Sequence, residues 1–297
     1  MSNKLRKMTL EKKHNLTGWA FLAPATFLIA VFSFWPMIKA LVLSFQTGKG
    51  RNMQMAGFTN YIRMFQDDVF LQSIKNTFFY FILQVPIMLV VALVLACILN
   101  KKDLRFKGFF RTMIFVPCTT SLVAYSIIFR SLFANDGLVN YVLVNLGILD
   151  KPYNFLTQPF AAKMVILLGL LWRWTGYNMV FFLSGLQNIE YSVYEAAKID
   201  GASAIQTFFK ITVPLLKPTI LLTAIMSTNG TLQLFDESIN LTDGGPANAS
   251  ISMSHYIYNL CFKYVPNFGY AAAMSFFILL LVAVLAFIQM RVGDKRD

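Results

Sequence analysis

The chain has 297 residues, 57% of them hydrophobic and only 13% charged, with 29 Phe. A soluble domain carries roughly twice that share of charge, so a soluble globular fold is excluded, and recurring runs of about 20 apolar residues point to a polytopic membrane protein. The formal net charge of +12 would suit nucleic acid, but its distribution along the chain excludes that partner.

Residues 1–16 form a basic tail, with Lys4, Arg6, Lys7, Lys12 and Lys13 against Glu11. The apolar run at 19–45 is too long for the core of a secretory signal and lacks a clear small-residue cleavage site. It is read as the first membrane helix, bent by Pro24 and Pro36. Residues 47–73 are polar and aromatic. A second span is expected at about 76–100, with Pro86 inside it, followed by a basic loop holding Lys101, Lys102, Arg105, Lys107 and Arg111. A third span is expected at about 113–133, then a mixed loop to residue 158 and a fourth span at 160–186. A charged stretch at 190–218 follows. The fifth span is expected at 219–235 with a polar second half, and residues 241–246, Leu-Thr-Asp-Gly-Gly-Pro, make a turn cluster. The sixth span is expected at about 270–290, before a charged tail at 291–297. The expected domain is thus one all-α membrane unit, 17–290, between two short tails.

Six spans put both ends on one side, and the positive-inside rule picks the side. The two tails, the loop at 101–111 and the stretch at 190–218 carry sixteen of the 26 Lys and Arg. The opposite loops carry Lys49, Arg51, Arg63, Lys75, Lys151 and Lys263. Acidic residues divide evenly. The basic excess is therefore topological, and both termini are expected in the cytoplasm.

Catalytic and metal chemistry find little support. Cys97, Cys118 and Cys261 are scattered, and His14 and His255 are isolated. No G-x-x-x-x-G-K-[ST] loop occurs, so the chain carries no ATP site of that kind.

Two polar clusters lie inside apolar spans, where such side chains usually face a bundle interior or an aqueous path. The fourth span holds Trp172, Arg173, Trp174, Tyr177 and Asn178. Arg173 and Tyr177 are four apart, as are Trp174 and Asn178, so each pair shares a helix face. The fifth holds Asn229, Thr231 and Gln233, then Asp236 and Glu237; Asn229, Gln233 and Asp236 or Glu237 form a stripe at helical spacing. Aromatic rings stack on the C–H faces of a sugar, and amides and acids bind its hydroxyls. Trp174, Tyr177, Asn178, Asn229, Thr231, Gln233 and Asp236 are therefore candidate substrate-path residues. The competing reading is that they only bond neighbouring helices, with Arg173 pairing an acid on another span.

The stretch from Tyr194 to Pro218 reads YEAAKIDGASAIQTFFKITVPLLKP. It is too charged to cross a bilayer and too patterned for a slack loop. Glu195 to Lys198 are good helix formers, and Gly201 stops or bends the helix. A second helical run follows, with Ile205, Phe208, Phe209 and Thr212 on one expected apolar face. Pro214 and Pro218 mark the turn into the fifth span. Glu195 is expected in the first turn of the first short helix, and small Ala196 and Ala197 let that helix sit deep in a groove.

This stretch resembles the coupling loop of binding-protein-dependent ABC importer permeases, whose pattern is Glu-Ala-Ala, three residues, Gly, nine residues, Ile, one residue, Leu, Pro. Glu195, Ala196, Ala197, Gly201, Ile211 and Pro214 fall at those spacings, and Val213 replaces the usual Leu. Residues 241–246 are similar to an element of the carbohydrate branch of that family. The resemblance implies a MetI-like permease fold and a sugar importer subunit without covalent chemistry. It assigns ATPase coupling to Glu195, Ala196, Ala197, Asp200, Gly201, Ile211 and Pro214. It also implies a second related permease, with a heteromeric pair expected; two ATPase subunits that hold ATP and Mg; and an extracytoplasmic sugar-binding protein. No cofactor is expected in this chain. An ion-driven secondary transporter is the alternative, but it would need midspan acids and usually internal repeats, and neither is visible.

Overall fold

A computed structural model describes residues 10–293 apart from residues 50, 51 and 102. Most of the expected N-terminal tail, Lys102 and the last four residues lie outside the described residues. Helix α1 (Leu10–Ile29) contains Pro24 and runs through one π-helical turn (Ala30–Phe34) into α2 (Trp35–Ser44). Pro36 stands in the first turn of α2. It has no N–H to give, and the ladder slips to a wider turn just before it. A small antiparallel hairpin follows, β1 (Gln46–Lys49) with β2 (Asn52–Met55), pairing Gln46 with Met55. Then come α3 (Thr59–Met64) and the long α4 (Asp68–Asn100), which starts two turns before the expected second span. Asp67 caps it, its carboxylate accepting from Val69 N and Phe70 N.

The expected third span is broken. Helices α5 (Lys107–Thr119) and α6 (Leu122–Leu132) meet at 98°. Pro117 ends the regular ladder of α5, and Thr120 and Ser121 are extended. After α7 (Leu138–Asn145) comes α8 (Pro159–Gln187), which matches the expected fourth span. Three short elements follow: α9 (Tyr191–Ile199), α10 (Ala204–Thr207) and, beyond a π-helical turn at Phe208–Thr212, α11 (Val213–Leu215). They lead at a 70° bend into α12 (Lys217–Leu232). The chain ends with α13 (Asp236–Thr242), α14 (Met253–Tyr258) and α15 (Phe268–Gly293). Among the described residues, four helical stretches are long and apolar enough to cross a membrane, or up to six if each bent pair counts as one span.

The centre is α4 packed along α8. Ala92, Leu93, Ala96 and Leu99 of α4 meet Met179, Phe182, Leu183 and Leu186 of α8, and Leu216 closes that cluster from the 70° bend. Helix α15 packs on α2, α12 and α14. Helix α5 lies so close to α8 that a Cβ on Gly176 would sit 1.9 Å from the Ile114 carbonyl oxygen; only glycine permits that approach.

Candidate translocation pocket and docking segment

One cavity of about 300 Å³ gathers the two polar clusters. Trp174, Tyr177 and Asn178 reach it from α8; Thr231 comes from α12, Gln233 from its C-cap, and Asp236 and Glu237 from α13. Six of the seven expected path residues thus line one space. Asn229 does not. It lies on a neighbouring groove with Ser254 and Ser275, which Gln233 also borders, and its side-chain oxygen accepts from Gln233 Nε2. The stripe is not one helix face either. Helix α12 stops at Leu232, and Phe235 at φ −134°, ψ −59° turns the chain before α13 begins. Asp236 reaches the pocket because α13 folds against α6 and α8.

The pocket residues divide by burial. Asn178 and Thr231 are buried and bonded: Asn178 Nδ2 donates to Trp174 O within α8 (3.0 Å), and between helices Ser227 Oγ donates to Asn178 Oδ1 (3.3 Å) and Thr231 Oγ1 donates to Gln84 Oε1. Trp174, Tyr177 and Asp236 are half-buried and Gln233 is exposed, so these carry the free surface. The Trp174 and Tyr177 rings meet edge to face at 5.8 Å. Sequence reasoning missed Gln84 and Ser227; Gln84 was visible as an amide two residues before Pro86 in an otherwise apolar run.

Arg173 does not share the pocket with Tyr177. It is buried, donates from Nη1 to Thr120 O (2.8 Å) at the α5–α6 bend, and lies against the Tyr125 and Trp174 rings. Glu237 lies near it, on α13.

The family described as binding-protein-dependent transport system inner membrane component matches residues 67–296. The chain belongs to that family. It is 51% identical over 98% of both chains to the lactose transport system permease protein LacF of Rhizobium radiobacter. It is 33% identical to the multiple sugar-binding transport system permease protein MsmF of Streptococcus mutans, over 97% of this chain and 99% of that one. A solved bacterial ABC transporter involved in the import of the acidic polysaccharide alginate superposes with a TM-score of 0.83, covering 95% of this chain and 96% of its own, at 23% identity. That likeness carries the fold. The chain is a multi-pass membrane permease subunit of an ATP-binding-cassette transport system, and its relatives are transport permeases.

The permease's charged stretch forms a projecting segment. Helix α9 starts at Tyr191, after the extended Glu190, so Glu195 stands in its middle and gains nothing from the N-terminal dipole. Gly201, at φ +75°, closes α9. Gly201 N donates to Lys198 O (3.2 Å) and Ala202 N to Ala197 O (2.9 Å), the paired bonds of a Schellman cap. Ser203 and Gln206 form a capping box that starts α10. Glu195, Ala196, Asp200, Gly201 and Pro214 are exposed, Ile211 is half-buried, and Ala197 is buried against its own chain. Ala197 is therefore not available to a groove. The expected apolar face of the second run is also split. Phe208 packs on the α4–α8 core and Thr212 is buried. Ile205 (71% exposed) and Phe209 (65%) point outward with Ile199 (86%). The π-helical turn at 208–212 shifts the register and divides the face. An open groove of about 730 Å³ lies beside α9, bordered by Asn100, Asp103, Tyr191 and Tyr194.

Proposed function

We propose that this permease imports a sugar, supplies half of the translocation path, and docks an ATPase subunit through α9–α11. The observation that carries the reading is the single cavity joining Trp174 and Tyr177 to Gln233 and Asp236. Stacking rings beside an amide and an acid suit a polyhydroxylated ligand, and the volume lies at the small end of ligand sites. Relatives named for lactose and multiple-sugar transport make a disaccharide, lactose foremost, the first substrate to test.

Six spans are few to enclose a path, so a second, related permease completes it, in a heteromeric pair. Two ATPase subunits bind ATP and Mg. The segment exposes the apolar Ile199, Ile205 and Phe209 together with the charged Glu195, Lys198 and Asp200, the composition of a protein-docking face. ATP-driven closure of the ATPases pulls on this segment and opens the path to an extracytoplasmic binding protein. A solved alginate transporter in complex with its periplasmic protein is a fold relative at TM-score 0.83. Both termini and α9–α11 lie on the cytoplasmic side, as the charge census requires, with residues 1–16 and 291–297 as tails and 17–290 as the membrane domain.

The test is labelled lactose uptake in membranes that contain the assembled complex. Gln233→Ala and Tyr177→Ala should each cut uptake at least several-fold with the complex still assembled. Unchanged uptake in Gln233→Ala, Asn229→Ala and Tyr177→Ala alike would return these residues to a purely structural role.

A further inference from the structure

The pocket lining holds two carboxylates, Asp236 and Glu237, and no lysine, arginine or histidine. They are the first two residues of α13. Glu237 is 4% exposed and Arg173 is 6% exposed. Arg173 interacts electrostatically with Glu237, bonds Thr120 O, has no hydrogen-bond partner at Nε, and is not among the residues that line the cavity. The guanidinium therefore partly offsets Glu237 without itself lining the cavity. Asp236 has no cation within salt-bridge distance among the described residues. Met88, Leu122, Leu170, Met226 and Leu234 make up apolar wall, and low-dielectric walls strengthen the field of an unbalanced charge.

We propose that Asp236, backed by Glu237, makes this pocket a charge filter that admits neutral sugars and rejects acidic ones such as uronates and aldonates. The inference rests on the reading that the cavity holds the sugar, and it adds the charge class. It separates this chain from its fold relative, the importer of an acidic polysaccharide. An anionic group held about 6 Å from Asp236 at an effective dielectric near 20 lowers occupancy by roughly a hundredfold.

The experiment measures displacement of labelled lactose from the purified permease–ATPase complex without binding protein, so that the binding protein's own selectivity does not enter. The competitors are lactitol and lactobionate, two open-chain disaccharides of closely similar shape, one neutral and one anionic. Lactitol should compete at least roughly a hundredfold better than lactobionate. Asp236→Asn should narrow that gap at least about tenfold, and Glu237→Gln should narrow it less, because Arg173 already offsets that charge. Equal competition by the two in the wild-type complex overturns the filter, and so does an unchanged gap in an Asp236→Asn complex that still binds lactose. If Asp236→Asn abolishes lactose binding, the wild-type gap decides alone. Failure of lactose and lactitol to bind the wild-type complex is a different result. It removes the sugar from the pocket, and the filter with it.

Discussion

Replacing Gly201 tests the docking segment most directly. At φ +75° it occupies the left-handed region, and a Cβ built there meets nothing within 4 Å. A side chain thus costs conformational free energy and no packing. For an L residue that cost is roughly 1–2 kcal/mol, at the low end for Asp. Set against a typical stability of about 5–15 kcal/mol, it leaves the membrane domain folded. The segment also sits at the surface, and the core behind it depends on Leu216 and Phe208 rather than Gly201. If the free loop relaxes and the Schellman geometry is needed only when docked, about 1 kcal/mol becomes roughly fivefold weaker docking in Gly201→Ala. Gly201→Asp adds a third acid beside Asp200 and Glu195 and places its side chain on the exposed face, so ATPase retention should fall further and uptake should be lost. The assay measures ATPase co-purification and sugar uptake in membranes with equal amounts of wild-type and mutant permease. Normal retention together with normal uptake in Gly201→Asp would refute the docking assignment. Loss of Gly201→Ala from the membrane would refute the premise that the cost is local.

Three further outcomes are expected. Asp67 accepts hydrogen bonds from Tyr256 Oη and Tyr270 Oη, each at 2.7 Å, and from Val69 N and Phe70 N; burial opposes its charge, but these bonds outweigh burial and hold the carboxyl below the ordinary value. Its stabilisation is present above the unfolded carboxylate pKa and is lost as pH falls through the lower folded value, and Asp67→Asn should cost roughly 1 kcal/mol at pH 7 after screening, read by thermal unfolding in detergent from pH 3 to 7. His255 is fully buried, with Nδ1 2.9 Å from Ser238 Oγ and Nε2 3.7 Å from Asp243. Burial above all, and Lys263, push its pKa down against the pull of Asp243, so the unfolded chain takes the proton first and stability should drop as pH falls below about 6.5; His255→Gln should flatten that part of the profile. For topology, an impermeant thiol reagent applied outside should reach cysteines placed at Gly147 and Gly245 and miss one at Ser203, and labelling at Ser203 would reverse the orientation.

How far the sequence could be read depended on which force set each feature. Hydrophobic burial is local in composition, so α8 and α15 emerge with boundaries close to those expected, and α4 ends where expected but starts two turns earlier. The break between α5 and α6 does not emerge, although Pro117 hinted at it. A proline weakens a ladder, but here the bend is held by Arg173, fifty-three positions away, bonding Thr120 O. Local propensity contains no such contact. The α8 residues Trp174, Tyr177 and Asn178 were legible because that helix is regular and its periodicity holds. The α12 stripe was extrapolated past the helix end, where Thr228, Asn229, Gly230 and Thr231 had already lowered helix propensity. It led into the same cavity as the α8 residues through a chain reversal that spacing could not foretell, while Asn229 lies on the neighbouring groove. The docking segment shows the same limit, since one π-helical turn was enough to divide an apolar face that a regular helix would have kept whole.

The candidate pocket and the proposed docking segment are joined by a single element, α12. Helix α12 begins at the 70° bend beside α11 and ends at Leu232, one residue before Gln233 of the pocket. Its 16 residues span about 24 Å, and its one proline, Pro218, lies in the first turn where it breaks no hydrogen bond. Leu216 at the bend is buried in the α4–α8 core, so the bend rests on a packed pivot. Helix α12 also touches α4 and α15 along its length, and Gln289 of α15 donates to Thr228 Oγ1 at 2.7 Å. Interiors packed in this way move as units rather than deform smoothly. On the proposed docking, a displacement imposed on the exposed Ile205 and Phe209 face would be passed past the buried Leu216 along α12 toward Gly230 to Gln233, where α12 gives way to the acid-bearing start of α13. The regular helix ends there, and the link Gln233–Phe235 carries the chain into α13. On that proposal, the acidic start of α13 is the part of the pocket wall that a shift of α12 reaches first.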